Sequence, residues 1–349
     1  MAMGYVRAYV FILVPAFFCE TAVYCASIPT SSQSAQSKPK GFGTAKRAVI
    51  IGVDGLGGAH LRNVTDYYPT FRSFFEQGSY TTRARGIFPT SSGPNWCSYL
   101  TGLDIMEHGV FDNTWNPASG NPDKETSYSI PPVTGRGRPE TIFSQVKKKD
   151  PNLQTAMMFT WSWLKYFAVN NTDIDVWHWG GEGVTCGSDI AKCYHLKDTS
   201  TVLAAKANLV QNNPILTFIH FDMVDLAGHN KCWGCPLYYH ALKSVEMKIK
   251  LLIDALNQTQ DSSGQPMLDG TLIVIVSDHG GWRNTHGFNK PFSALVDIPI
   301  LIRGPDALKN NSLESKYVSN LDVAATVLNA IGVEKSEFMR GQVLEQIYP

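Results

Sequence analysis

The chain has 349 residues and no excess of charge of either sign: 30 lysines and arginines are balanced by 30 aspartates and glutamates. That balance gives no hint of binding to a nucleic-acid duplex or an anionic membrane surface. There is no internal repeat, and low complexity is confined to residues 28–45, which excludes a solenoid or a fibrous assembly. Beyond the N-terminus no apolar run is long enough to cross a bilayer. Cysteine is scarce, at seven residues. Apolar side chains make up 44% of the chain, enough for a substantial core, and the length is within reach of one large α/β domain.

The N-terminus reads as a secretory signal. Arg7 supplies the positive flank, Ala8 to Phe18 the apolar stretch, and Cys25-Ala26-Ser27 the small residues for cleavage. A membrane anchor is the alternative, but the apolar stretch is short for a span. The expected organisation is a signal over 1–27, a flexible leader over 28–45 and one catalytic domain over 46–349, with no membrane span in the mature chain. Asn-x-Ser/Thr triplets at Asn63, Asn170, Asn257 and Asn310 fit an extracellular glycoprotein. Cys186 with Cys193 and Cys232 with Cys235 are expected as disulfides, although crossed pairing is also open. Cys97 is left over as a buried thiol.

From Ala48 short apolar runs alternate with amphipathic stretches. The runs Ala48–Val53, Gln154–Phe159, Ile215–Phe221, Thr271–Ser277 and Ile298–Ile302 predict buried strands. Helices are expected over Tyr68–Gln77, Asn95–Thr101, Glu140–Lys147, Thr201–Gln211, Leu237–Leu256 and Leu321–Ile331. The alternation predicts an α/β domain, a mostly parallel central sheet with helices on both faces. Two stretches break the rhythm and are expected as long surface loops: Asp112–Pro139 and Phe167–Lys197.

The chemistry sits at the ends of the strands, where ligands collect in an open α/β sheet. Asp54 follows the first run. Asp225 and His229 lie beyond the run ending at Phe221, Asp278 and His279 end the Thr271 run, and His286 follows in a Gly-rich loop. Each alone could be a polar turn or a solvated surface residue. Together, carboxylates and neutral imidazoles at one topological position suit divalent metal ions, zinc in particular, and more oxygen ligands would move the site towards magnesium, calcium or manganese. The hydroxyl-rich turn Pro89–Asn95 supplies a candidate nucleophile.

These stretches, in this order, are IIGVDGLGG, FPTSSGPNWCSYLTG followed by EHGVFDN, FDMVDLAGH, VIVSDHGG and THGF leading into IPILIRGP. They resemble the alkaline-phosphatase superfamily, close to its type I phosphodiesterase and nucleotide pyrophosphatase branch, from about Arg47 to the C-terminus. The resemblance implies an alkaline-phosphatase-like sandwich and a hydrolase of small phosphate esters that works through a phosphoseryl intermediate, and the N-terminal signal adds that it is secreted. It implies two divalent ions: one held by Asp54, Ser92, Asp278 and His279, the other by Asp225, His229 and His286. Such paired ions commonly lie about 4 Å apart. Ser92 aligns with the nucleophile, with Thr90 and Ser91 as hydroxyls for a shifted register. Asn95 aligns with an amide that contacts a phosphate oxygen, and Trp96 is a candidate substrate contact.

The chain also departs from that branch, whose nucleophile is usually threonine with an aromatic residue after it. Here Ser92 is followed by Gly93, and His286 follows His279 without the usual insertion. Trp115, Trp161, Trp163, Trp177, Trp179 and Trp233 join Trp96 as residues that could stack on a base. A phosphomonoesterase would need added positive charge, for which Arg83, Arg85, Arg136, Arg138 and Lys165 are candidates without motif support. A sulfatase would need arginine where Trp96 stands. A phosphomonoesterase and an inactive binding protein on this fold are the alternatives to the phosphodiesterase.

Overall fold

A computed structural model of the chain describes residues 37–62, 67–115 and 139–349. The expected signal, Asn63, Arg136, Arg138 and most of the Asp112–Pro139 stretch lie outside the described residues.

Alternate residues of a strand point to opposite faces, and in Arg47–Val53 all seven residues are buried. This strand, β1, is the hub of an eight-stranded sheet with β2 (Ser79–Arg85), β3 (Thr155–Phe159), β4 (Val176–Trp179), β5 (Leu216–Phe221), β6 (Thr271–Val276), β7 (Asp297–Arg303) and β8 (Asn311–Ser312). The order is β4-β3-β5-β1-β6-β7-β2-β8. β1 pairs in parallel with β5 and β6, whereas β7 runs antiparallel to both β6 and β2. The sheet is mostly parallel, as expected.

In chain order the helices are α1 (Gly58–Arg62), α2 (Pro69–Gln77), α3 (Ser92–Thr101), α4 (Ile105–His108), α5 (Ile142–Lys149), α6 (Lys165–Ala168), α7 (Ile190–Asn212), α8 (Met223–Asn230), α9 (Pro236–Gln258), α10 (Ser293–Val296) and α11 (Leu321–Ala330). Ala48 and Ile50 pack into a core with α3, α5 and α11. Val49, Ile51 and Val53 pack into a second core with α2, α7, α8 and α9. Both faces of β1 are therefore dry, which is why its sequence is apolar without alternation.

Three expectations change. Phe167–Lys197 is not one loop: it holds β4, and α7 begins at Ile190. α3 begins at Ser92 rather than Asn95, with Ser91 as N-cap. Pro94 is compatible with this start because the first turn of a helix needs no N–H partner there. Residues 40–45, read as leader, belong to the domain. The Gly43 amide donates to Asn329 O at 2.8 Å, the Ala45 amide to Ala330 O at 2.9 Å, and Asn329 Nδ2 to Lys40 O at 2.8 Å.

Cys186–Cys193 and Cys232–Cys235 are the disulfides, and Cys97 is a buried free thiol. Asn170, Asn257 and Asn310 are exposed. Among the described residues no helix is long and apolar enough to cross a membrane.

His108 gives the fold an acid sensitivity. It is fully buried, its Nδ1 accepts from the Val110 amide at 3.0 Å, and its Nε2 lies 3.1 Å from Ser98 Oγ. Burial lowers its pKa from 6.5 to about 4. In the unfolded chain it binds a proton near 6.5, so its stability contribution is complete above that pH and is lost as pH falls towards 4. The loss amounts to about 3 kcal/mol. Denaturation at pH 7 and pH 4.5 should show a smaller acid destabilisation in His108→Gln than in the wild type; an identical pH slope would remove His108 as the cause.

Candidate active site

Asp54 stands at the end of β1, and three neighbours fix its carboxylate. Trp96 Nε1 donates to Oδ2 at 3.0 Å, and His220 Nε2, from the neighbouring β5, lies 3.0 Å from the same oxygen. Oδ1 faces Ser92 Oγ at 3.4 Å and His279 Nε2 at 3.7 Å. Gly55 then turns the chain at φ +72°, and a Cβ there would sit 2.7 Å from Asp225 Cα. Only glycine gives both the left-handed backbone and the approach of Asp225. The Gly55 carbonyl accepts from Trp233 Nε1 at 2.8 Å and Tyr238 OH at 3.0 Å, which locks the turn. Gly55→Ala should cost at least about 2 kcal/mol from backbone strain alone. Thermal melting should show this, and a wild-type melting temperature would contradict the tight Gly55–Asp225 approach.

Asp278 and His279 follow β6 and are fully buried. Asp278 Oδ1 accepts from the Gly55 amide at 3.0 Å, while Oδ2 has no hydrogen-bond partner among the described residues. His279 Nδ1 is 2.9 Å from Gly280 O, which leaves Nε2 towards Ser92 Oγ at 3.2 Å and Asp278 Oδ2 at 3.2 Å. Asp225 and His229 sit one turn apart on α8. His229 Nδ1 contacts Asn284 O at 3.1 Å, and Nε2 lies 3.4 Å from Asp225 Oδ2. Asp225 Oδ1 is buried and has no hydrogen-bond partner among the described residues. His286 Nδ1 contacts the Thr90 carbonyl, and its ring stacks on that of His279 with centroids 3.7 Å apart.

Two donor sets result: Asp54, Asp278 and His279, and Asp225, His229 and His286. Within each, one donor atom per residue lies within 4.8 Å of the others. A third grouping joins Asp54 and Asp225 through Asp222, which the sequence reading did not single out. The electrostatics fit cations. Burial, then the charge of Asp278, raises the Asp54 pKa well above the carboxylate range. Burial, then Asp54, does the same to Asp225. Burial takes Asp222 up to about 7 and holds the His279 and His286 imidazoles neutral, at about 3. Crowded carboxylates, two orphaned carboxylate oxygens and neutral imidazoles form a donor set that a divalent cation would satisfy.

Ser92 is the first residue of α3, and its hydroxyl faces Asp54 and His279. The Thr90 hydroxyl instead donates to His286 O at 2.7 Å. The two expected substrate contacts both lie beneath the surface of the site. Asn95 is fully buried: its Nδ2 reaches the Ser91 and Pro89 carbonyls at 3.0 and 3.2 Å, and its Oδ1 accepts from the Ile87 amide at 3.0 Å. It braces the turn. Trp96 is fully buried against Gly52, Phe218 and His220, and its indole N–H holds Asp54.

Asn113 and His220 were missed. Asn113 Oδ1 accepts from the Gly93 amide at 2.7 Å, directly after Ser92. It closes the matched EHGVFDN stretch, which was its available signal. His220, inside an apolar strand, reads as core in any sequence. A Cβ on Gly93 would meet Trp163 Cζ2 at 3.0 Å. Trp163 stacks on Trp161 with centroids 5.1 Å apart and packs against Trp115 at 5.9 Å, so aromatic rings stand where the sequence has only glycine.

Fold and site together define an α/β protein of alkaline-phosphatase type with two carboxylate–imidazole donor sets, one of them beside Ser92. The profile of the family described as "Type I phosphodiesterase / nucleotide pyrophosphatase" matches residues 48–293, and the chain belongs to that family. It is similar to ectonucleotide pyrophosphatase/phosphodiesterase family member 1 of Homo sapiens, 22% identical over 83% of this chain and 30% of that protein. It is also similar to the Homo sapiens bis(5'-adenosyl)-triphosphatase ENPP4, 24% identical over 67% of this chain and 47% of that one. The chain thus spans a third to a half of the length of these curated relatives. Murine ectonucleotide pyrophosphatase/phosphodiesterase 5, solved as an inactive variant with AMP, shares the fold at TM-score 0.64 and 14% identity, covering 83% of this chain and 96% of that one. A 2-O GAG sulfatase shares it at TM-score 0.63 and 12% identity, covering 86% and 73%.

Proposed function

We propose that this chain is a secreted, metal-dependent phosphodiester hydrolase that uses Ser92 as nucleophile. The observation that carries the reading is the position of Ser92 Oγ, 3.4 Å from Asp54 Oδ1 and 3.2 Å from His279 Nε2, at the edge of one donor set. Asp54, Ser92, Asp278 and His279 would hold one divalent ion, and Asp225, His229 and His286 a second, with zinc the ion such a donor set suits. Bound divalent ions would supply Lewis acidity, which favours the ionised serine and stabilises charge on phosphoryl oxygens.

The chain's own residues do the rest. Ser92 Oγ forms a bond to phosphorus as the bond to the leaving oxygen breaks, which gives a phosphoseryl ester and an alcohol. Water attacks the same phosphorus from the vacated side and frees Ser92. Asn113 commits Oδ1 to the Gly93 amide, and its Nδ2 donors are the groups that meet a phosphoryl oxygen. The start of α3 also favours an anion at Ser92.

Diesters are favoured over monoesters because the described cationic candidates are engaged elsewhere. Arg85 pairs with Asp297 at 2.8 Å, Arg83 lies 3.8 Å from Glu314, and Lys165 sits 3.7 Å over the Trp179 ring. The Trp161–Trp163 stack beside Gly93 supports a substrate with an aromatic group, and the nucleotide chemistry in the relatives' names agrees. The paired cysteines agree with an oxidising compartment.

The test is metal content with activity. Wild type reconstituted with zinc should carry two ions per chain by mass spectrometry, and Asp225→Asn should carry fewer and lose turnover. Asp225→Asn with full metal and full turnover would overturn the assigned donor role.

A further inference from the structure

A cavity of about 400 Å³ opens between α7 and α9, with Met223 of α8 at one side. None of the candidate metal donors lines it. Val202, Leu203, Met223, Met247 and Leu251 give it an apolar wall. Leu203 is 54% and Met247 61% exposed, so large apolar side chains are left in water at its mouth.

The polar end is cationic. Lys248 lines the cavity, yet only 7% of it is exposed, and its ammonium donates to Ser244 Oγ at 2.9 Å. Ser244 Oγ also lies 3.2 Å from His195 Nδ1. No ion pair satisfies Lys248 among the described residues. The charge of Asp198 acts on Lys248 without an ion pair, and the two Asp198 oxygens accept from the Asp222 and Met223 amides at 3.1 and 3.3 Å. Lys243, on the same helix, is spent on Glu246 at 2.9 Å and Tyr67 O at 3.2 Å. A buried ammonium with a single neutral acceptor is costly, and a ligand anion would supply the missing partner. The combination of one buried charge and an apolar wall calls for an amphiphile, and the volume is at the small end of ligand pockets, which run from about 300 to 1,000 Å³.

We propose that this cavity binds a small amphiphilic carboxylate, its head on Lys248 and Ser244 and a short acyl chain along Val202, Leu203, Met223, Met247 and Leu251. The inference is independent of the hydrolase reading, because neither Ser92 nor any candidate donor takes part. Octanoate, octyltrimethylammonium and acetate are the probes, titrated calorimetrically below micelle formation into the full chain. Octanoate should bind saturably at one site, octyltrimethylammonium should not bind, and acetate should be at least tenfold weaker than octanoate. Lys248→Met should weaken octanoate at least tenfold with folding intact by circular dichroism. Absence of saturable octanoate binding, equal binding of the cationic amphiphile, acetate as strong as octanoate, or unchanged affinity in a folded Lys248→Met would each overturn the proposal. If Lys248→Met does not fold, the head-group comparison on the wild type decides alone.

Discussion

Ser92→Ala should lower kcat for a phosphodiester by about a thousandfold or more, with thermal stability close to wild type. The catalytic loss follows from removing the atom that forms the covalent ester, and nucleophile deletions in comparable hydrolases cost at least this much. The small structural effect follows from the contacts. Among the described residues Ser92 Oγ contacts Asp54 at 3.4 Å and His279 at 3.2 Å, and no backbone group there depends on it. Single-turnover kinetics beside a melting curve separate the two. Substantial turnover in Ser92→Ala would transfer the role to another hydroxyl, and Ser91 would be the first to replace, since the Thr90 hydroxyl is held by His286 O.

The second large effect is on stability. Trp96→Ala should cost about 3–5 kcal/mol, the range for truncating a fully buried large aromatic. The ring fills a slot over Gly52, where an added Cβ would come within 2.6 Å of Trp96 Cη2, so the surroundings are shaped to the indole. The change also removes a donor from Asp54 Oδ2 and leaves His220 to hold that oxygen. Trp96→Phe should keep much of the packing and still loosen Asp54, so its metal affinity should fall more than its stability. Urea denaturation of both variants with zinc titrations reads each effect. Near-wild-type stability in Trp96→Ala would mean that the tryptophan is not the core residue described.

The same residue shows where the sequence stops being legible. β1, β5 and β6 stand out because both faces are buried and their runs are apolar without a break. Their C-terminal ends are therefore where the sequence directs attention to Asp54, Asp225, Asp278 and His279. β2, with Thr81, Thr82 and Arg83, and β4, with His178 between two tryptophans, carry too much polarity for that signal. Their place in the sheet is decided by pairing with β7 and β3, which is non-local information. Around Ser92 the side chains next along the chain turn inwards. Asn95 and Trp96 follow Ser92 within about one helical turn, yet one braces the turn beneath it and the other enters the core under Asp54. Asn113 returns to Gly93 after α3 and α4, so the contact depends on how those two helices turn back on themselves rather than on any local pattern.

The central claim, phosphodiester hydrolysis at the Ser92 centre, is tested most directly by comparing zinc-loaded turnover of bis-p-nitrophenyl phosphate and p-nitrophenyl phosphate, with Ser92→Ala as the control. The account predicts faster turnover of the diester, abolished both by a chelator and by the substitution. Faster turnover of the monoester, or diester turnover that survives chelation and Ser92→Ala, would contradict it.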